Sequence, residues 1–439
     1  MIIKAKWSGL ILIQYLIGLL AIVLIDNKIF SSLTSGIMCI TIALIVALYS
    51  LRNNKLFTPI TASIIFDISF ALYIMKLVTS YTDMKIGYMV CIVTCSFIWK
   101  FITVASYGFN HHTKNRKIEQ LKLSRSSFVI IVTFLFIVSA AAMMFEWAHT
   151  GGIPILRRDS ETFRFTVSYS SFTHLLAIMN KIVTMLIGIY FVNKGKLSLK
   201  EDLLLLLEMI CAEGLMIGTA MRGEIIMAPC VVFIFYAIKK KLSLKFYVIG
   251  GIAALVFIGV MPYVRMLTLY GSSYIISLRS ISRYPDYYMF TPLYQTFSNN
   301  FQILNVDFSI FPEIKNFGYG MYAILPEIPF ANLGTSLMDV QNEVLNNSFY
   351  SGLTATYLAE WYADFGYIGC FFSTILFAAL TNYAYSRFER NHSVLSCVLY
   401  AYVFYSSLWV FYNSVFDFVF ICYSLVIWFA LKCKVRVIV

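Results

Sequence analysis

The chain has 439 residues, of which 60% are hydrophobic and 13% charged, and a mean hydropathy of +0.77. A soluble domain of this length carries roughly twice that share of charge, so a water-soluble globule is excluded. The formal net charge of +12 does not point to nucleic acid, because Lys and Arg lie scattered through short segments between apolar runs, the distribution that orients a chain in a bilayer.

The first segment, "MIIKAKWSGLILIQYLIGLLAIVLI", has a basic start followed by an apolar run with no small-residue cleavage site, and reads as an uncleaved first span. Further apolar blocks of about twenty residues follow, the length that crosses a hydrocarbon core. Spans are predicted at 8–25, 30–51, 57–78, 86–107, 126–146, 172–193, 202–219, 225–238, 246–263, 366–386, 393–411 and 414–432. The expected fold is all-α: a polytopic transmembrane bundle of about 12 spans forming a single integral membrane domain over 1–439. The cysteines fall in or beside apolar runs, so they read as small buried hydrophobes rather than a disulfide framework.

With the N-terminus inside, the loops sort into two faces. Lys4, Lys6, Arg52, Lys55, Lys114, Arg116, Lys117, Lys122, Arg125, Lys194, Lys196, Lys200, Lys239, Lys240, Lys241, Lys245, Arg387, Arg390, Lys432, Lys434 and Arg436 crowd one of them. The opposite face has Lys28, Lys85, Arg157, Arg158, Arg164, Arg222, Arg265, Arg279, Arg283 and Lys315. The richer face marks the cytoplasm and places both termini there. Seven of the ten outer residues are arginine, whereas the inner set is mostly lysine. Orientation needs only positive charge; a planar guanidinium fork adds bidentate recognition of phosphate or carboxylate.

Between the fifth and sixth spans lies "WAHTGGIPILRRDSETFRF", with Arg157, Arg158, Asp159 and Arg164. The adjacent pair reads equally as a pyrophosphate clamp or as side chains snorkelling to lipid phosphates. Arg164, Arg222 and Arg265 stand at membrane mouths, where an arginine inside a span costs about 2.5–3.5 kcal/mol, and are read as functional. In "GTAMRGE" the glycines are expected to let the backbone bend and Glu224 to orient Arg222. Six charged residues lie within spans, Asp67, Lys76, Lys100, Lys181, Glu208 and Glu213, and are expected to pair with one another before they serve a proton path.

Residues 265–352 form a long aromatic-rich extracytoplasmic loop, too long for a connection alone. Within it Leu293, Phe297, Phe301 and Leu304 recur at the spacing of a one-sided interfacial helix. Beyond the loop, "YLAEWYADFGYIG" sets Glu360 and Asp364 at i and i+4, on one helix face that could present a general base. Their alternative reading is a solvated helix end. The histidines (111, 112, 149, 174 and 392) form no ligand pair, so no metal is expected. No phosphate-cradling glycine loop precedes a helix, and the inner loops are too short to hold a nucleotide sugar, so no cofactor is expected.

Three patterns carry a resemblance: "GGIPILRRDSETFR", "MRGE" and "LAEWYADFGYIG". Together with the architecture they resemble the Wzy-type polysaccharide polymerases, the oligosaccharide repeat-unit (O-antigen and capsule) polymerase family. The resemblance implies a metal-independent glycosyltransferase of the bacterial cytoplasmic membrane. It would act on the outer face upon polyprenyl-pyrophosphate-linked oligosaccharide, among membrane lipids, with a flippase and a chain-length regulator as protein partners and no nucleic acid. Joined to the reading of the residues, it makes Glu360, Arg222 and Arg164 the expected catalytic residues, and Arg157, Arg158, Arg265, Asp159 and Glu224 those expected to hold pyrophosphate and substrate; the resemblance itself does not settle which carboxylate acts. Two other readings stay open: a flippase or transporter for lipid-linked oligosaccharide, and an O-antigen ligase-like glycosyltransferase.

Overall fold

The computed structural model describes residues 2–53, 55–106, 109, 125–157, 171–193, 199–240, 242–326, 336–344, 355–391, 393–412 and 418–432. Over these the chain is helical, and one isolated bridge, Val78 to Ser282, stands in place of any strand. The helices are α1 (Ile2–Asp26), α2 (Ser32–Arg52), α3 (Pro59–Met75), α4 (Ile86–Ala105), α5 (Arg125–Thr150), α6 (Ser171–Ala177), α7 (Asn180–Val192) and α8 (Leu199–Gly218). They continue as α9 (Arg222–Lys239), α10 (Leu244–Tyr270), α11 (Ser272–Ile281), α12 (Thr291–Ile310), α13 (Leu337–Val344), α14 (Ala359–Asn391), α15 (Val394–Leu408) and α16 (Phe418–Lys432).

Each predicted span has a helical counterpart, but the helices differ in their fitness to cross a bilayer. Among the described residues six segments are long and apolar enough: Lys6–Asp26, Ser32–Arg52, Ile86–Ala105, Ser127–Thr150, Phe172–Val192 and Ala359–Asn391. Pro59–Met75, Lys245–Val260, Val394–Leu408 and Phe418–Lys432 are apolar and shorter. In α8 the residues Lys200, Glu201, Asp202, Glu208 and Glu213, and in α9 Arg222, Glu224 and Lys239, set those helices apart by charge. Outward positions are greasy as well: on α1, Leu12, Leu16, Leu20 and Val23 are exposed while Trp7, Ile11 and Ile22 are buried. A helix apolar on every side suits lipid on one face and protein on the other. The chain is a multi-pass membrane protein.

Two compact units divide the chain. The first comprises Met1–His112, Leu242–Ser386 and Ser406–Val415; the second comprises Thr113–Lys241, Arg387–Tyr405 and Phe416–Val439.

In the first unit, α12 packs on α3, with the Phe301 ring 5.2 Å from Phe66 and 5.3 Å from Phe70. The Tyr294 hydroxyl ties the two, accepting from Leu77 N–H at 3.0 Å and donating to Leu72 O at 2.6 Å. The helix expected from its apolar stripe is present, but it buries a wider surface, including Ser298, Asn300 and Asp307, while Leu293 and Phe297 are only half-buried. One end of the unit gathers the α3–α4 turn and α12. Thr82 N–H donates to Gln302 at 3.0 Å, the Tyr88 hydroxyl donates to Phe308 O at 2.8 Å, and Lys85 pairs with Glu313 at 2.8 Å.

Helix α14 breaks at Gly366 (φ 60°, ψ −144°), which separates Ala359–Phe365 from the apolar stretch that follows. That backbone region belongs almost solely to glycine. A Cβ there would also meet the Phe317 ring at 3.1 Å. Gly366→Ala is therefore expected to destabilise the protein by about 1–3 kcal/mol, read as a lower melting temperature in detergent; an unchanged melt would show that the bend does not need glycine.

In the second unit, α7 packs between α8 and α9. The span predicted over 172–193 is interrupted after Ala177 because buried Asn180 opens it: its Nδ2 donates to Ala177 O at 2.8 Å and its Oδ1 accepts from Ser139 at 2.9 Å. In "GTAMRGE" the bend is made by Ala220 (φ 59°) and not by a glycine. Gly218 serves packing instead, since a Cβ on it would stand 2.6 Å from the Trp147 ring.

Candidate functional site

The N-terminal stretch of α14 brings Glu360 to the end of the first unit that holds the α3–α4 turn. Four residues on, Asp364 is fully buried. Its carboxylate accepts the Ala323 amide at 2.7 Å and the Tyr322 amide at 3.1 Å, while its backbone carbonyl accepts the Tyr319 amide at 3.2 Å. Gly318 approaches so closely that a Cβ would lie 2.5 Å from Asp364 Oδ1. Asp364 thus anchors the 318–323 turn and is spent on the backbone. The two acids expected to share one role have separate ones, and Glu360, half-buried, is the one near the surface.

Asp307 of α12, a fully buried carboxyl, lies in electrostatic reach of Glu360. Burial, reinforced by the negative charge of Glu360, pushes Asp307 up to about 8, while a hydrogen bond from Gln341 opposes the rise. Gln341 Nε2 donates to Asp307 Oδ1 at 2.6 Å. Around this pair stands an aromatic wall. Tyr88 stacks on Phe308 at 4.4 Å, Phe308 meets Tyr362 edge-on at 4.4 Å, and Tyr362 meets Tyr367 at 5.7 Å. Tyr88, Phe308 and Tyr362 are buried, whereas Tyr367, Tyr319, Tyr287 and Phe290 are exposed. Only the exposed rings have faces available to a sugar or a lipid interface.

The second unit holds the other expected residues. After Thr150, Gly151 (φ 88°) and Gly152 (φ 140°) reverse the chain, and Gly152 N–H closes the α5 end on Trp147 O at 2.8 Å. Pro154 then starts a short 3₁₀ turn that leads to Arg157, which is half-buried and donates to Gly151 O at 3.4 Å. Glu224, in the first turn of α9, pairs with Lys181 of α7, and the Lys181 ammonium lies 4.9 Å over the Tyr423 ring. The Tyr423 hydroxyl reaches Leu175 O at 3.2 Å, and His174 Nδ1 lies 3.2 Å from Glu146 Oε2. The α6–α7 break, the α5 end and the α9 start therefore gather charge at one end of this unit.

Among the expected cations, Arg158 and Arg164, together with Asp159, lie outside the described residues. Arg222 opens α9 and Arg265 lies in α10; their side chains are also outside the description. Arg279 stacks on Tyr288 at 4.8 Å. Among the charges expected within spans, Asp67 pairs with Lys100, but Lys76 pairs with Asp83 of the adjacent turn. Glu208 accepts from Thr133 at 2.7 Å, so among the described residues the expected mutual neutralisation is seen for the Asp67–Lys100 pair. No group of three or more His, Cys, Asp or Glu among the described residues could hold a metal ion.

Sequence reasoning missed Asp307, Gln341 and the Lys181–Glu224 pairing. Asp307 carried a readable signal, since it follows Leu304 by three residues on the apolar stripe of α12. The pairing partners across α7 and α9 carried none. No protein-family model, no curated protein and no solved structure matches this chain.

Proposed function

We propose that the chain is a glycosyltransferase that elongates polysaccharide on the outer face of a bacterial cytoplasmic membrane, a polymerase of polyprenyl-pyrophosphate-linked repeat units. In this reading both termini are cytoplasmic, about twelve helices cross, and 265–352 is the outer loop. Glu360 removes the proton from an acceptor hydroxyl. The resulting oxygen attacks the anomeric carbon of the growing chain, and the bond to the lipid pyrophosphate breaks with its electrons passing to the phosphate oxygens. Arg164, Arg222 and Arg265, with Arg157 and Arg158, stabilise that leaving charge, as fixed donors do in a dry site. No general acid is needed, because pyrophosphate already leaves well.

The observation that carries the reading is the position of Glu360, a half-buried carboxylate beside a buried acid and an aromatic wall. It shares its end of the unit with Lys85 and the α3–α4 turn, which the loop charges also assign to the outside. The deciding assay supplies purified protein with a lipid-pyrophosphate repeat unit and resolves product length. Elongation supports the polymerase; transfer only to a different acceptor would make it a ligase. Arg222→Lys is expected to lower elongation at least about tenfold at unchanged membrane level, because an ammonium cannot grip two oxygens at once. Free exchange by lysine at Arg164, Arg222 and Arg265 together would end the clamp.

A transporter reading draws on one observation, the Asp67–Lys100 pair in the first unit, to which Gln14 donates at 2.8 Å. The cavity beside it measures about 40 Å³, room for a water molecule and not for a sugar. Cells lacking a flippase export no repeat units, whereas cells lacking a polymerase export single ones.

A further inference from the structure

Among the buried acceptor atoms of the first unit that lack a hydrogen-bond partner within the described residues are Asp307 Oδ2 and Gln341 Oε1. They belong to the two side chains already joined by the 2.6 Å bond from Gln341 Nε2 to Asp307 Oδ1. Both residues are at most 1% exposed, and leaving such atoms unpaired costs about 1–3 kcal/mol each. A carboxylate oxygen cannot bond an amide oxygen, since neither carries a hydrogen. One proton on Oδ2, donated to Gln341 Oε1, would satisfy both atoms at once and close the two-bond ring that an acid and a primary amide can form.

We propose that Asp307 carries this proton and forms a two-bond acid–amide ring with Gln341, leaving Glu360 as the ionised carboxylate of the pair. Among the described residues, the groups around it leave the proton in place. From α4, Lys85 is paired with Glu313, and the Tyr88 hydroxyl is bonded to Phe308 O. From the segment after α12, Lys315 is paired with Glu343 of α13. From α14, Tyr362 bonds Phe311 O at 3.2 Å, and Glu360 adds negative charge. From α3, Tyr73 bonds Thr82 O at 2.9 Å, and α10 meets α12 at its distant Leu293 end. Burial and Glu360 push Asp307 to about 8, so the acid is neutral at neutral pH.

Asp307 is thereby a positioning residue. Asp307 lies in electrostatic reach of Glu360, and a neutral acid there spares Glu360 a second negative charge at its side. This consequence rests on the reading of Glu360 as base; the acid–amide ring does not. Because the folded value lies above the unfolded one, the stability that Asp307 gives is complete below about pH 4. It is lost as pH rises through about 8.

Infrared spectroscopy of the full-length protein in detergent, titrated from mildly acidic to alkaline pH, tests the ring. A protonated-carboxyl band is expected at neutral pH, fading through about 8 and absent in Asp307→Asn. That variant keeps two bonds to Gln341 through its amide and is expected to lose the alkaline fall in melting temperature. Gln341→Met is expected to shift the band without removing it, which secures the assignment should Asp307→Asn fail to fold. A missing band, a band that survives Asp307→Asn, or one unmoved by Gln341→Met overturns the proposal. In the transfer assay Asp307→Asn is expected to keep the acidic limb of the pH profile and lose the alkaline decline. An intact band with transfer indifferent to Glu360 would instead overturn the base and leave the ring standing.

Discussion

Glu360→Gln is expected to slow glycosyl transfer by about 10²–10⁴-fold, the usual contribution of a positioned proton acceptor. The amide matches the carboxylate in shape and cannot take the acceptor proton. On the proposed reading the arginines hold the pyrophosphate, so binding of lipid-linked substrate should survive and the loss belongs in kcat. Asp364→Asn gives the contrast. Its carboxylate accepts the amides of Tyr322 and Ala323, and charge-assisted bonds of this kind contribute about 1.5–3 kcal/mol. Its effect should appear in the melt rather than in the rate per folded molecule. A purified Glu360→Gln protein that elongates within a few-fold of the parent would remove Glu360 from the chemistry.

The helices were legible because lipid permits little else. An apolar run of about twenty residues must satisfy its backbone internally, and α2, α4 and α5 start and stop within a few residues of the composition boundaries. What composition could not give was the interruption at Asn180, where a single amide satisfies both Ala177 O and Ser139. Whether a buried asparagine opens a helix depends on a partner from another helix, and that partner is forty-one residues away. The wide burial of α12 escaped for the same reason. Its pattern displays an apolar stripe, while Ser298, Asn300 and Asp307 are covered by elements far along the chain.

The site was legible in kind more than in pairing. The i, i+4 spacing of Glu360 and Asp364 marked one helix turn, yet only the approach of the 318–323 backbone shows that Asp364 is an anchor while Glu360 stays half-buried. Gly366 was visible in "DFGYIG", and its bend frees the Glu360 turn from the apolar stretch behind it. Glu224 was expected to orient Arg222, two residues away; it is paired with Lys181, forty-three residues away. Neighbours in sequence are read easily, and neighbours through space are not.

Lys100→Met should be the most damaging single substitution to the fold, and its rescue the most informative. Lys100 is 3% exposed, and its ammonium donates to Asp67 and, at 2.7 Å, to Ser96. Removing one member of a buried pair leaves an uncompensated charge, at a cost of about 3–5 kcal/mol. Membrane yield and melting temperature should fall together. Gln14 and Ser96 still donate to Asp67, but neither supplies a positive charge. Adding Asp67→Leu removes the stranded carboxylate, and well-packed apolar replacements of a buried pair are often neutral or stabilising by about 1–4 kcal/mol. The double variant should therefore recover most of the lost stability, while a double variant as unstable as Lys100→Met would show that the pair does more than neutralise itself. Function then separates the two readings: a stable double variant that still elongates lipid-linked units treats the pair as internal support. One that folds and no longer exports any unit gives the pair the work of transport, and the glycosyltransferase reading would yield to it.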